Sequence, residues 1–128
     1  MTYYFNKVLQ VAFNEAVQRT VDALKREGFG VITEIDVKDT LKKKINVDFR
    51  NYRILGACNP VLAHEALQLE DKVGTMLPCN VIVQDLGAGI TEIAAIDPVA
   101  SMLAIDNPRL KQAAERVQAK LKKAIDSL

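Results

Sequence analysis

Two cysteines, each followed by an asparagine, are the residues best suited to chemistry in this sequence: Cys58-Asn59-Pro60 and Pro78-Cys79-Asn80. An ionised thiol is a nucleophile and a soft metal ligand, and it forms most readily beside a cation or a helix N-terminus. Asn59-Pro60 is a helix start, because Asn is a good N-cap and the missing N–H of Pro costs nothing in the first turn. The apolar run before it, residues 52–58, has the character of a buried strand. Cys58 is therefore expected where a strand passes into a helix, with the positive end of the helix dipole favouring its thiolate. The competing role is packing: free cysteine is among the most buried residue types, and Gly56-Ala57 beside it suit close contact.

Cys79 has no helix start next to it. It opens a second buried strand, residues 77–83, where Pro78 is tolerated because no ladder N–H is needed at the first positions. If the end of the first strand lies beside the start of the second, Cys58, Asn59, Cys79 and Asn80 line one pocket, and these four are the candidate ligand-binding residues. Two neighbouring thiols would also suit a redox pair or a soft metal, but a metal normally takes three or four ligands. The Cys-x-x-Cys spacing of a dithiol oxidoreductase is absent. No metal site is assigned.

Other polar residues read as structural. His64, the only imidazole, falls one turn into the helix after Cys58 and reads as a partly exposed helical residue. Glu34 and Asp36 share a strand face at spacing two, a pattern that suits acid–base work but is more often solvated charge. The lysines at 42–44 and 120–123 lack interleaved aromatics, so they read as solvated faces rather than phosphate sites. Gly87-Ala88-Gly89 lacks the context of a phosphate loop and reads as a turn. With one histidine there is no Ser, His and Asp set, so no catalytic residue and no cofactor is assigned.

The strings Ile54-Leu55-Gly56-Ala57-Cys58-Asn59-Pro60 and Leu77-Pro78-Cys79-Asn80-Val81, with Gly28-Phe29-Gly30-Val31 upstream, resemble the domain of unknown function 302 family. The resemblance runs from about Phe5 to the last helix. It implies a compact two-layer α+β domain, often dimeric, and brings no catalytic residues with it. Ala12 departs from the pattern, standing where similar sequences often place a Ser or Thr that caps the first helix.

The elements that must position the cysteines follow from periodicity. Residues 3–9 alternate as a strand. Phe13, Ala16, Val17, Thr20, Val21 and Leu24 form one face of a helix that Gly28 ends as a C′ residue, and a strand follows at once. Residues 36–46 read as a short helix or turn and 46–51 as a loop leading to Tyr52. The helix after Cys58 carries Val61, Leu62, Ala66, Leu67 and Leu69 and fades near Gly74. A hairpin through Gly87 and Gly89 joins the second cysteine strand to residues 90–97. Asp97-Pro98 and Asn107-Pro108 repeat the cap-then-proline signal, the second opening a long amphipathic helix with Leu110, Ala113, Ala114, Val117, Leu121, Ala124, Ile125 and Leu128 on one face. The expected order is β-α-β-β-α-β-β-α: an α+β fold of two layers, a mostly antiparallel sheet of about five strands backed by helices.

Composition bounds the function. The 128 residues fit one domain, residues 1–128, with a core large enough to need no staples. Lys and Arg number 17 against 16 Asp and Glu, a net charge of +1, which gives no reason to expect a nucleic-acid partner. No run of 18 apolar residues and no signal-peptide pattern is present, so a cytoplasmic protein with reduced thiols is expected, away from membranes. An apolar content of 49% in so short a chain points to a homodimer paired through a sheet face or edge. The expected function is that of a small homodimeric binding or interaction domain, with a small-molecule ligand near the two Cys-Asn motifs. The alternative is a thiol-dependent enzyme or a thiol- and metal-handling protein that uses Cys58.

Overall fold

The computed structural model describes residues 2–128. Five strands, β1 (Tyr4–Leu9), β2 (Gly30–Asp36), β3 (Tyr52–Cys58), β4 (Cys79–Gly87) and β5 (Ile90–Ile96), form one antiparallel sheet in the order β1-β5-β4-β3-β2. The helices are α1 (Phe13–Arg26), α2 (Val37–Ile45), α3 (Pro60–Leu69), α4 (Pro98–Ser101) and α5 (Pro108–Asp126), with a 3-10 helix at Asp71–Met76. The α+β class and the antiparallel sheet agree with the sequence reading; the segment expected as a short helix or turn is helix α2, and the short helical turn expected after Asp97 is α4.

One face of the sheet is the floor of the main core. Because side chains alternate along a strand, the register puts Leu55 opposite Val81 and Val81 opposite Ala95, with Ala57 opposite Cys79 in the next row. Helices α1 and α5 cover these rows with Ala16, Leu24, Leu121 and Ile125, all buried. Helix α1 starts without a side-chain cap at Ala12. It ends where the Gly28 N–H bonds to the Lys25 carbonyl and the Phe29 N–H to that of Leu24, with Gly28 at φ +85°. This is the left-handed C′ arrangement that glycine adopts without strain.

A second, smaller cluster joins Ala66, Val73, Met102, Leu110 and Ala114. Helix α5 therefore serves two cores. Its C-terminal half lies on the sheet, and its N-terminal half packs against α3 and α4.

Three Asx-Pro starts fix the second cluster. Asn59 Oδ1 accepts from the Leu62 N–H at 3.2 Å, Asp97 Oδ1 from Val99 at 3.0 Å and Asn107 Oδ1 from Arg109 at 3.1 Å. Each satisfies N–H groups that the first helical turn leaves without partners. Asn107 also donates from Nδ2 to the Leu69 carbonyl at 3.0 Å, pinning the end of α3 to the start of α5. Gln118 donates to both carboxylate oxygens of Asp97, at 3.0 and 3.2 Å, which ties α4 to α5.

The opposite sheet face has a different character. Ile35, Ile54, Ile82, Ala94 and Asn6 follow one another across all five strands, and Tyr52, Gln84, Glu92 and Val8 form the adjoining row. Ile35 and Val8 are exposed, Ile54 and Ile82 half-buried, and none of these four belongs to either core cluster.

Candidate functional site

The two cysteine strands are neighbours. With Ala57 opposite Cys79, Cys58 lies one residue beyond that pair at the end of β3, opposite Gly30 on its other side. Asn59 follows as the cap of α3, so the strand end and helix start meet beside the first residue of β4. The Leu77–Pro78 peptide that leads into β4 is cis.

Cys58, Asn59 and Cys79 line one cavity of about 330 Å³. Its wall is completed by α3 through Leu62 and Ala66, by Leu77 and Pro78, by α4 through Pro98 with Met102 just after it, and by α5 through Ala114. The cavity thus lies where α5 passes from one core cluster to the other. Among the described residues no Asp, Glu, Lys, Arg or His lines it.

Asn80 is placed elsewhere. Strand alternation turns it to the open sheet face opposite Gly56, where it is exposed and borders a hollow with Tyr4, Tyr52 and Glu92. The Cys-Asn pairs look equivalent in the sequence but differ in space. Asn59 has left the strand to cap a helix, whereas Asn80 remains in the pleat and points away from its own cysteine.

Both thiols are free, Cys79 buried and Cys58 half-buried. Burial pushes the Cys79 thiol up to about 11, with a smaller contribution from neighbouring Cys58. Desolvation disfavours the thiolate, so Cys79 is a protonated apolar group at neutral pH. Cys58 is the more accessible of the two.

Two close approaches shape the site. A Cβ built on Gly56 would fall on Thr33 Oγ1 and within 2.7 Å of Pro78 Cγ, so the approach to β4 depends on a residue without a side chain. A Cβ on Gly28 would come within 3.0 Å of Asn59 Nδ2, which places the Asn59 amide over the turn that ends α1. Asn59 Oδ1 is used in the cap, while Nδ2 donates to no acceptor among the described residues.

Several cavity residues were invisible to sequence pattern. Ile32 is the extra residue of a bulge between Val31 and Thr33, and the bulge presents it at the cavity edge, 63% exposed. Met102 and Ala114 come from a chain segment far from the cysteines; the sequence pattern indicated the helical segments there, but not that they reach the cavity. Helix α3 is apolar on more than its buried side: Leu62 and Ala66 are buried, but Val61 is 76% exposed and Leu67 is exposed at the cavity.

The remaining polar candidates have structural partners or lie in solvent. Glu34 pairs with Arg53 at 3.0 Å, and Asp36 caps α2 by accepting from the Asp39 N–H. Lys42 and Lys43 pair with Asp48 and Asp39, and His64 is exposed on α3. Among the described residues no group of three or more His, Cys, Asp or Glu side chains could hold a metal ion, and no helix is long and apolar enough to cross a membrane.

A five-stranded antiparallel sheet with two helices on one face and a helical cluster at one end defines a small α+β domain with a cavity at the sheet's end. The family described as domain of unknown function DUF302 matches residues 5–128, and the chain belongs to it. A crystal structure of an uncharacterized conserved DUF302 protein from Bacillus stearothermophilus is similar throughout, with a TM-score of 0.90 and 30% sequence identity over 98% of each chain. No curated protein matches.

Proposed function

We propose that this chain is a single homodimeric binding domain that holds a small molecule in the cavity beside Cys58, Asn59 and Cys79. The observation that carries the reading is the cavity itself: about 330 Å³, bounded by the end of the sheet and three helices, and lined by three of the four residues singled out by the Cys-Asn motifs. Ligand sites of proteins are concave, mostly apolar and furnished with few polar groups. The cavity has that composition.

The open sheet face supports the dimer. Its Ile35, Ile54 and Ile82 row crosses three adjacent strands outside both cores, and a contiguous apolar patch of this kind is what self-association covers. Sedimentation velocity at micromolar concentration tests it: a dimer is expected, and a monomer overturns it.

Labelling of Cys58 tests the pocket. Iodoacetamide should modify Cys58 more slowly in the protein as purified than after unfolding, washing free of small molecules and refolding. Equal rates would remove the case for an occupant, and an unusually fast rate after washing would favour a thiol-dependent activity of Cys58.

A further inference from the structure

We infer that the cavity ligand is a neutral, predominantly hydrocarbon molecule of the size of a medium-chain alcohol, ketone or ester. This rests on the reading of the cavity as a ligand site and names the chemistry of its occupant.

The wall excludes charge. Among the described residues no ionisable group lines the cavity apart from the two thiols, and Cys79 is held protonated by its burial. An ionised carboxylate or ammonium brought against Leu62, Ala66, Met102 and Ala114 would lose its hydration and gain no counter-charge there. A hydrocarbon body loses nothing comparable and gains the burial of its own apolar surface.

Size follows from the volume. At about 330 Å³ the cavity lies at the lower end of the roughly 300–1,000 Å³ range of small-molecule pockets, so its occupant is a small molecule. The approach to the cavity is apolar as well, with Ile32 and Leu67 both exposed and both lining it.

Among the described residues Asn59 is the one amide side chain in the lining, and its Oδ1 is already taken by the helix cap.

The experiment uses N-phenyl-1-naphthylamine as a fluorescent apolar probe on the whole, reduced protein, displaced by 1-decanol, decanoate or decylamine at pH 7.5. The probe is expected to bind at one site per chain, with decanol displacing it at least tenfold more effectively than decanoate or decylamine. Ala63→Phe fills the cavity from a half-buried position of α3 and should abolish probe binding; Leu67→Glu, at an exposed position, should weaken it while leaving the fold intact. Equal displacement by a charged competitor, unchanged probe binding in both variants, or no probe binding overturns the inference. The broader pocket reading fails separately, when the protein as purified carries no bound molecule of any charge.

Discussion

Cys79 stands directly opposite Ala57 in the β3–β4 ladder, and that register carries Cys58, the next residue, to the edge of the same cavity. The thiols differ in solvation, and their chemistry should differ accordingly. Alkylation at pH 8 is expected to modify Cys58 first and to leave Cys79 protected in the folded protein, as peptide mapping will show.

The raised Cys79 value also makes stability depend on pH. The folded thiol holds its proton up to about 11 against an ordinary value of 9.0, so the native state binds the proton more tightly than the unfolded chain. The resulting stabilisation is fully present below pH 9 and is lost as pH rises through about 11, amounting to roughly 3 kcal/mol. Urea denaturation of the wild type between pH 8 and 11 should show this loss, and Cys79→Ala should lack that part of it.

Gly56→Ala tests the close approach of Thr33 in β2 and of Pro78, just before β4, to the β3 backbone. The added methyl meets Thr33 and Pro78, and overpacking of this kind costs about 1–3 kcal/mol. Gly30→Ala is the control, because a Cβ there has nothing within 4 Å. The first variant should lower the denaturation midpoint clearly, and the second should change it little.

Asn59 separates the cap from the cavity. Asn59→Ala removes the acceptor for the Leu62 N–H and should cost about 1 kcal/mol. Asn59→Asp keeps that acceptor, so its stability should stay near wild type, but it puts a negative charge on a residue that lines the cavity. Chemical denaturation read beside probe binding distinguishes the two effects: stability lost in the alanine variant, binding lost in the aspartate variant.

Much of this fold was legible because local signals agreed with the tertiary structure. The Phe13 to Leu24 periodicity, Gly28 as the helix stop and the Gly87–Gly89 turn each name an element without help from distant residues. Helix α3 was less legible, because an apolar residue looks the same whether it faces a core, as Leu62 does, or solvent, as Val61 does. The site was half legible. Cys58, Asn59 and Cys79 could be linked from one helix cap and two strands, but the opposite direction of Asn80 depends on strand register, and the bulge that presents Ile32 leaves no residue signature. The far wall, Met102 and Ala114, is assembled by tertiary packing alone.

The row of Ile35, Ile54 and Ile82 is where the proposed dimer can be tested. Ile82→Glu introduces a charge at the middle strand of the open face while leaving both core clusters untouched. Sedimentation should show a folded monomer, since burying an unpaired carboxylate at an interface core costs several kcal/mol, on the order of the penalty for any unpaired buried charge. A dimer unaffected by the substitution would place the interface elsewhere.

The most direct measurement is native mass spectrometry of freshly purified, reduced protein, wild type beside Ala63→Phe, because one spectrum reports oligomeric state and bound mass together. The account predicts a wild-type dimer carrying additional non-covalent mass and an Ala63→Phe dimer that lacks it. A monomer, a wild-type dimer with nothing bound, or extra mass retained in full by Ala63→Phe would contradict it.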